Sequence, residues 1–354
     1  MTNYIIRRLL LIPVLLVGVT IIIFGMMQFL TPVERSALYV RDIPHTEGAI
    51  EGVIKRYGLD DPLPVQYWHW MVGRNDPVTD KTVGGILRGD LGYSRVGSQP
   101  VWDMIKQRFP ATLELALWAI VPIIAVGIWL GVQAAVHHNS FFDQAARIFA
   151  IVGTSLPTFV AGLLLLMLFY ATLGWFPPGR LSDWASAQIS LAGYKQITHL
   201  VTIDALINGR FDIFLDALRH LVLPILTLSY INWATFLRVT RSSMLESLRQ
   251  EYVTTARAKG VSERDVINKH AKPNALMPVV TLAGFQIIAL LGGVVITETV
   301  FDYPGIGSAA ATAAAQLDVV TVLGFALFNG LILIVSNLIV DIVYAFVDPR
   351  VRLS

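Results

Sequence analysis

Uncharged runs of about 18 residues or more alternate along this chain with polar connections. The runs are residues 9–30, 115–136, 148–170, 221–237, 279–297 and 319–340. At 1.5 Å of rise per residue, such a run crosses a hydrocarbon core about 30 Å thick. The fourth is the shortest and contains Pro224. Neighbouring helices can re-satisfy the backbone group that a proline frees. The pattern predicts an all-α integral membrane fold with six transmembrane helices. An even number puts both termini on one side.

The densest polar interruption follows the fourth run. Residues 244–258 lack helix breakers, and Gly260 can adopt the left-handed conformation that ends a helix. Ser262-Glu-Arg-Asp265 has the S/T-x-x-D/E form that opens a new one. The second helix is expected to run to about Ala271, with Pro273 forcing a break before the fifth run. Helix, glycine corner and helix make a rigid bent element that can insert into a cleft on a partner. The small residues Ala256, Ala258 and Gly260 would allow close approach, and the surrounding charges would steer and orient it.

The connection after the first run is long. Residues 47–57 have helical spacing, which Gly58 stops, and Asp61-Pro-Leu-Pro64 marks a turn. Gln66-Tyr-Trp-His-Trp70 is an aromatic cluster suited to a membrane interface. Residues 100–109 read as a short amphipathic helix leading into the second run. The segment predicts a small folded appendage without activity of its own.

Composition agrees with the membrane class: 55% of the 354 residues are hydrophobic and 15% are charged. Charge sets the orientation. Arg7 and Arg8 precede the first run, and Arg350 and Arg352 follow the last. Residues 238–272 carry eight Lys and Arg against four acids. All three regions fall on one face, which is expected to be cytoplasmic. Residues 31–107 and 171–217 would then lie outside. The first run has no cleavage site after it and reads as a retained signal anchor.

Several chemistries have no residues to support them. A net charge of +2 and no strongly basic segment argue against nucleic-acid binding. No P-loop is present, so nucleotide is not hydrolysed that way. There is no cysteine and no close His/Asp/Glu metal spacing. The histidines, at 45, 69, 137, 138, 199, 220 and 270, fall outside or at the ends of the runs. Glu114, Glu298 and Asp341 sit near run ends, where they are expected to anchor or cap helices and reach headgroups or water. A self-contained secondary transporter or channel would need ionisable groups near mid-membrane or an inverted repeat. A membrane hydrolase would need a nucleophile and base, and Ser155 with His137 and His138 do not suggest one. The driving force is therefore expected from another chain.

The polar stretch resembles the cytoplasmic EAA loop of type I ABC-importer permeases, in the form Glu251-Tyr-Val-Thr-Thr-Ala-Arg-Ala-Lys-Gly260 of the B-type dipeptide/oligopeptide branch. Thr254-Thr-Ala256 stands where the general pattern has Glu-Ala-Ala, and Pro273 takes the place of the later proline. Similar matches run along the chain: Tyr57-Gly-Leu-Asp-Asp-Pro-Leu-Pro-Val-Gln-Tyr67, Gly89-Asp-Leu-Gly-Tyr-Ser94, Arg108-Phe-Pro-Ala-Thr-Leu-Glu-Leu-Ala116, Leu218-Arg-His-Leu-Val-Leu-Pro224, Glu298-Thr-Val-Phe-Asp-Tyr-Pro-Gly-Ile-Gly307 and Asp348-Pro-Arg350. Two departures stand out: Leu30-Thr-Pro-Val-Glu-Arg35 replaces a Gly-Asp-Pro-type turn, and residues 75–87 look inserted.

The resemblance implies a type I permease fold in the inner membrane, with both termini cytoplasmic. It implies an N-terminal part over 1–107, a transmembrane domain over 108–346 with its coupling loop at 244–273, and a tail over 347–354. It implies a C-type permease partner, one or two cytoplasmic ATPases that bind the ATP and Mg, and an extracytoplasmic solute-binding protein. The chain itself would hold no cofactor and be no enzyme. Coupling would rest on Glu251, Thr255, Ala256, Arg257, Ala258, Lys259, Gly260, Ser262 and Pro273. The branch handles dipeptides, oligopeptides, nickel chelates and oligosaccharides.

Overall fold

The structure, a computed structural model of the chain, describes residues 2–36, 39, 47–75, 80 and 82–347. Arg350, Arg352 and the rest of the tail beyond 347 lie outside these residues, as do His45 and 76–79 and 81 of the inserted segment.

In chain order the elements begin with α1 (Thr2–Met27), α2 (Pro32–Ser36), α3 (Glu47–Tyr57) and α4 (Leu63–Val72). Next are the short strands β1 (Arg74–Asn75) and β2 (Thr82–Val83), paired antiparallel, a 3₁₀ turn at Ile86–Arg88, and a second antiparallel pair, β3 (Tyr93–Ser94) and β4 (Gln99–Pro100). Helices α5 (Val101–Val136), α6 (Phe141–Ser155) and α7 (Thr158–Leu165) follow, the last widening into a π turn at Leu166–Thr172. Two short helices, α8 (Asp183–Ile189) and α9 (Val201–Ile207), precede the 38-residue α10 (Phe211–Leu248). Then come α11 (Glu251–Ala258), α12 (Glu263–Asp265), a π turn at Val266–Ala271, α13 (Lys272–Ala275), α14 (Met277–Leu291) and α15 (Val295–Val300). The chain closes with α16 (Ile306–Ala315) and α17 (Val319–Val347).

Among the described residues, three helices are long and apolar enough to cross a membrane: Arg8–Met27, Val101–Val136 and Val319–Ile342. Two bent pairs raise the number to five if each pair is one span. The expected run 148–170 is one of them: Phe141–Ser155 and Thr158–Thr172 meet at 103°. Pro157 causes the break, because the residue before a proline is driven out of the helical region, and Leu156 is extended at φ −89°, ψ 120°. The run 221–237 lies inside α10. The short helix expected over residues 100–109 leads into the second run without interruption: α5 continues through Pro110 and Pro122.

The chain divides into two compact units. The first takes residues 1–109 and 306–338. Its core joins Val101, Met104 and Ile105 of α5 to Ile306 of α16 and Val320, Phe325 and Phe328 of α17. Tyr67 and Trp70 pack their rings on Phe24 of α1, with centroids at 5.4 and 5.6 Å. Trp70 is buried whereas Trp68 is exposed, so the expected interfacial cluster is split between core and surface. The unexpected Thr31-Pro-Val-Glu34 turn is a capping box for α2. Thr31 N–H donates to Glu34 Oε2 at 2.7 Å, and Glu34 N–H donates back to Thr31 Oγ1 at 3.3 Å. Asp318 opens α17 in the same way, accepting from the N–H and hydroxyl of Thr321 at 3.2 and 2.7 Å. It also accepts from Ser94 Oγ at 2.8 Å and Val96 N–H at 3.1 Å, which ties the second strand pair to the helix.

The second unit takes residues 110–305 and 339–354. Leu115, Ala119 and Ile123 of α5 pack with Leu221, Leu228 and Phe236 of α10, and Val279 and Leu290 of α14 complete that core. Gly127 and Gly131, one turn apart, face Phe236 and Thr240, and a side chain at either would overlap α10. Close approach there needs glycine.

Asp318 is buried, which alone would raise its carboxyl; hydrogen bonds from Thr321, Ser94 and Val96 outweigh burial and hold it below the usual range. A depressed carboxylate contributes stability above its unfolded value of about 3.9 and loses it as pH falls through the lower folded value. Asp318→Asn is expected to destabilise the protein by about 2 kcal/mol at neutral pH. Thermal melts should show the gap to wild type narrowing as pH falls below about 4.

Candidate coupling element

The polar stretch after α10 folds into two short helices around a glycine. The expected single helix over 244–258 is broken, because α10 ends at Leu248 and Gln250 is extended at φ −73°, ψ 151°. The reason is packing. Val253 and Ala256 lie three residues apart on one face of α11, and they are buried against Met244 of α10, Val132 and Ala135 of α5, and Val266, Ala271 and Ala275. A straight continuation of α10 would carry both away from Met244.

The corner closes as a Schellman motif. Val261 N–H bonds the Ala256 carbonyl at 3.2 Å, Gly260 N–H bonds the Arg257 carbonyl at 3.0 Å, and Gly260 has φ +77°. Ser262 then opens α12, its Oγ accepting Asp265 N–H at 3.3 Å, as the motif predicts. Arg257 spans the corner with two bonds to Glu263, at 3.1 and 2.7 Å. Such an exposed pair adds little stability, but it fixes the angle between the helices. Ser247 Oγ donates to the Ala271 carbonyl at 2.9 Å and lies 2.6 Å from the Tyr252 hydroxyl. That tie joins the end of α10, the start of α11 and the return of the chain.

Two expectations are corrected. Pro273 does not break the helix. It sits in the first turn of α13, and the chain bends by 52° only between Ala275 and Met277. A proline needs no N–H partner in a first turn, and the wide π turn at Val266–Ala271 precedes it. Ala256 is buried and presents nothing outward. Glu251, Thr255, Arg257, Ala258, Lys259, Gly260, Ser262 and Pro273 are exposed.

The second unit also buries ion pairs that the sequence did not point to. Glu114, expected near water or headgroups, is 1% exposed. Its Oε2 accepts from Arg180 Nε at 2.9 Å and Nη2 at 2.7 Å, and its Oε1 accepts from the N–H and hydroxyl of Thr202 at 2.7 and 2.8 Å. The hydroxyl of Tyr303 approaches at 3.4 Å. Burial would lower the Arg180 guanidinium, but Glu114 and Tyr303 outweigh it and raise it. Glu298 is fully buried and accepts from Thr112 Oγ1 at 2.8 Å. His220 is buried as well, its Nδ1 2.8 Å from the Asp216 carbonyl. Nearer the polar stretch along α10, Arg241 grips buried Asp143 with two bonds, at 2.6 and 2.9 Å. Apart from His220 and Asp216, one turn apart on α10, these partners lie far apart in the chain, so spacing carried no signal of them. Among the described residues, no group of three or more His, Asp or Glu could hold a metal.

Comparison with known proteins places this architecture. Residues 123–353 match the family model for the binding-protein-dependent transport system inner membrane component, and residues 1–116 match the model for the N-terminal part of such membrane components. The chain belongs to this family. It is 36% identical over 353 residues to the dipeptide transport system permease protein DppB of Escherichia coli K12, covering 99% of each chain. It is 39% identical over 358 residues to the di/tripeptide transport system permease protein DppB of Pseudomonas aeruginosa UCBPP-PA14, again covering 99% of each. It is 35% identical over 353 residues to the oligopeptide transport system permease protein AppB of Bacillus subtilis 168, covering 99% of this chain and 100% of that one. As a family member it is an inner-membrane permease subunit, and ATP hydrolysis belongs to separate subunits.

Removing one partner of a buried ion pair leaves an uncompensated charge and costs about 3–5 kcal/mol, whereas replacing both by apolar groups is near neutral. Arg241→Met is therefore expected to lower the melting temperature sharply. The double variant Asp143→Leu/Arg241→Met should recover most of that loss in the same thermal melt.

Proposed function

We propose that this chain is one of two transmembrane subunits of an ATP-driven importer for dipeptides or oligopeptides. It pairs with a C-type permease, receives solute from an extracytoplasmic binding protein, and is driven by one or two cytoplasmic ATPases. Six spans cross the membrane, the fourth being the stretch of α10 over 221–237. Both termini and the loop over 238–272 are cytoplasmic, and residues 31–107 are extracytoplasmic. Within residues 108–346, the loop over 244–273 is the coupling part.

One observation carries the reading. The element from α11 to α12 turns an apolar face onto the bundle and leaves Glu251, Thr255, Arg257, Ala258, Lys259 and Gly260 outward around a rigid corner. ATP-driven closure of the ATPases moves that docked corner. The ties from Ser247 to Tyr252 and Ala271 pass the motion to α10 and α14, and alternating access follows as a tilt of the spans.

Gly260 gives the test. A Cβ there would meet no neighbour, so a substitution acts through backbone conformation alone. Asparagine tolerates positive φ, whereas a β-branched residue is strained by about 1–3 kcal/mol. Gly260→Asn is expected to retain most uptake. Gly260→Val should insert and express normally, yet lose ATPase co-purification or uncouple hydrolysis from uptake. Full uptake by Gly260→Val at normal expression would contradict the coupling role.

A further inference from the structure

The turn after α1 buries a positive charge that no acid answers. Arg35 of α2 is 8% exposed. Its Nη1 donates to Gln28 Oε1, just past α1, at 2.5 Å and to Gln66 Oε1 of α4 at 2.6 Å. Its Nη2 donates to the Leu59 carbonyl at 3.3 Å. All three acceptors are neutral, and among the described residues no carboxylate pairs with this guanidinium. Two acids close in sequence are committed elsewhere. Glu34 Oε2 takes the N–H and hydroxyl of Thr31, at 2.7 and 2.9 Å. Asp61 pairs with Arg74 at 3.0 Å. A charge withdrawn from water is costly unless an opposite charge meets it.

The same residues border a small cavity. Gln28, Arg35 and Gln66 line about 10 Å³ of space, walled by Phe24 of α1 and by the rings of Tyr39 and Tyr57, stacked at 4.7 Å. Two donors there have no hydrogen-bond partner and no access to water: Arg35 Nε and Gln28 Nε2. The amide orientations are fixed. Gln66 gives its Nε2 to the Leu59 and Asp61 carbonyls at 3.1 and 2.6 Å, which leaves its oxygen for Arg35. Turning Gln28 over would set its NH₂ group against the guanidinium, donor against donor. The space is about that of one water-sized sphere, so a carboxylate ligand or an oxyanion is too large. A water would have to donate as well as accept, whereas the side-chain groups left over here are donors beside a positive charge. One monatomic anion answers both donors and the charge.

We propose that this cavity is a halide site, with chloride as its ligand, bound by Arg35 Nε–H and Gln28 Nε2–H. The anion neutralises the buried guanidinium. In doing so it locks α2 and the loop at Leu59 onto the C-terminal end of α1, where the first unit packs Trp70 on Phe24.

The test uses the full chain, purified in its assembled transporter and dialysed into chloride, bromide, sulfate or gluconate at equal ionic strength and pH. Hydrogen exchange read by mass spectrometry should be several-fold slower over residues 28–36 and 57–66 in chloride and in bromide than in gluconate. The effect should saturate with halide concentration. Sulfate should give the gluconate rate, because it does not fit. Gln28→Glu supplies the missing negative charge with almost no change of shape. It should exchange slowly in all four salts and lose the halide response. Equal exchange in chloride and gluconate would overturn the proposal, since a water or an acid of this chain would then fill the role. So would a halide response that Gln28→Glu keeps in full, or one spread evenly over the peptides of both units, because the anion would then act elsewhere.

Discussion

A polar segment beside a membrane is rigid only if something apolar holds it. In this chain that is the burial of Val253, Ala256, Val266, Ala271 and Ala275 against Met244, Val132 and Ala135. Burying such side chains contributes about 25 cal/mol for each Å² removed from water. The rest of the element depends on it. The break after Leu248 exists so that α11 can fold back onto this patch. The Schellman corner at Gly260 and the cap at Ser262 then set where α12 begins. Without the patch, the charged outer face would belong to a flexible loop, and motion of a partner would be absorbed instead of transmitted.

The second constraint is electrostatic. Glu114, Asp143 and Glu298 lie in the apolar unit with almost no access to water, and each is held by hydrogen bonds from distant parts of the chain. Glu114 caps α9 through Thr202 and grips Arg180, so it fixes the connection between α7 and α10 onto α5. A buried pair adds little net stability, but losing one partner is expensive. Such pairs make the alternative packings of apolar helices costly.

Much of this was legible in the residues. The glycine corner, the Ser262 cap, the stop at Gly58 and all six apolar runs correspond to helices or to broken helix pairs, five of the runs falling in candidate spans. Local chemistry sets these features, and local chemistry can be read. The misses share a cause. Pro273 does not end its helix, just as Pro110 and Pro122 sit inside α5, because surrounding helices and a π turn absorb the defect. Pro157 does break the chain. The break at Arg249 and Gln250 has no local signal, since it is driven by contacts of Val253 and Ala256 with α5. Glu114 looked exposed because its partners are 66 and 88 residues away.

The central claim is that the outward face of α11 and its corner meet an ATPase. The chain has no cysteine, so single cysteines can be placed cleanly. Ala258→Cys and Lys259→Cys are exposed, whereas Ala256→Cys, on the same helix, faces the bundle. Crosslinking with a short thiol-to-amine reagent in membranes that contain the assembled transporter tests the claim most directly. The account predicts a covalent adduct with the ATPase subunit from positions 258 and 259, weaker after ATP is added, and none from 256. Absence of an ATPase adduct from both exposed positions, with the subunits still co-purifying, would contradict it.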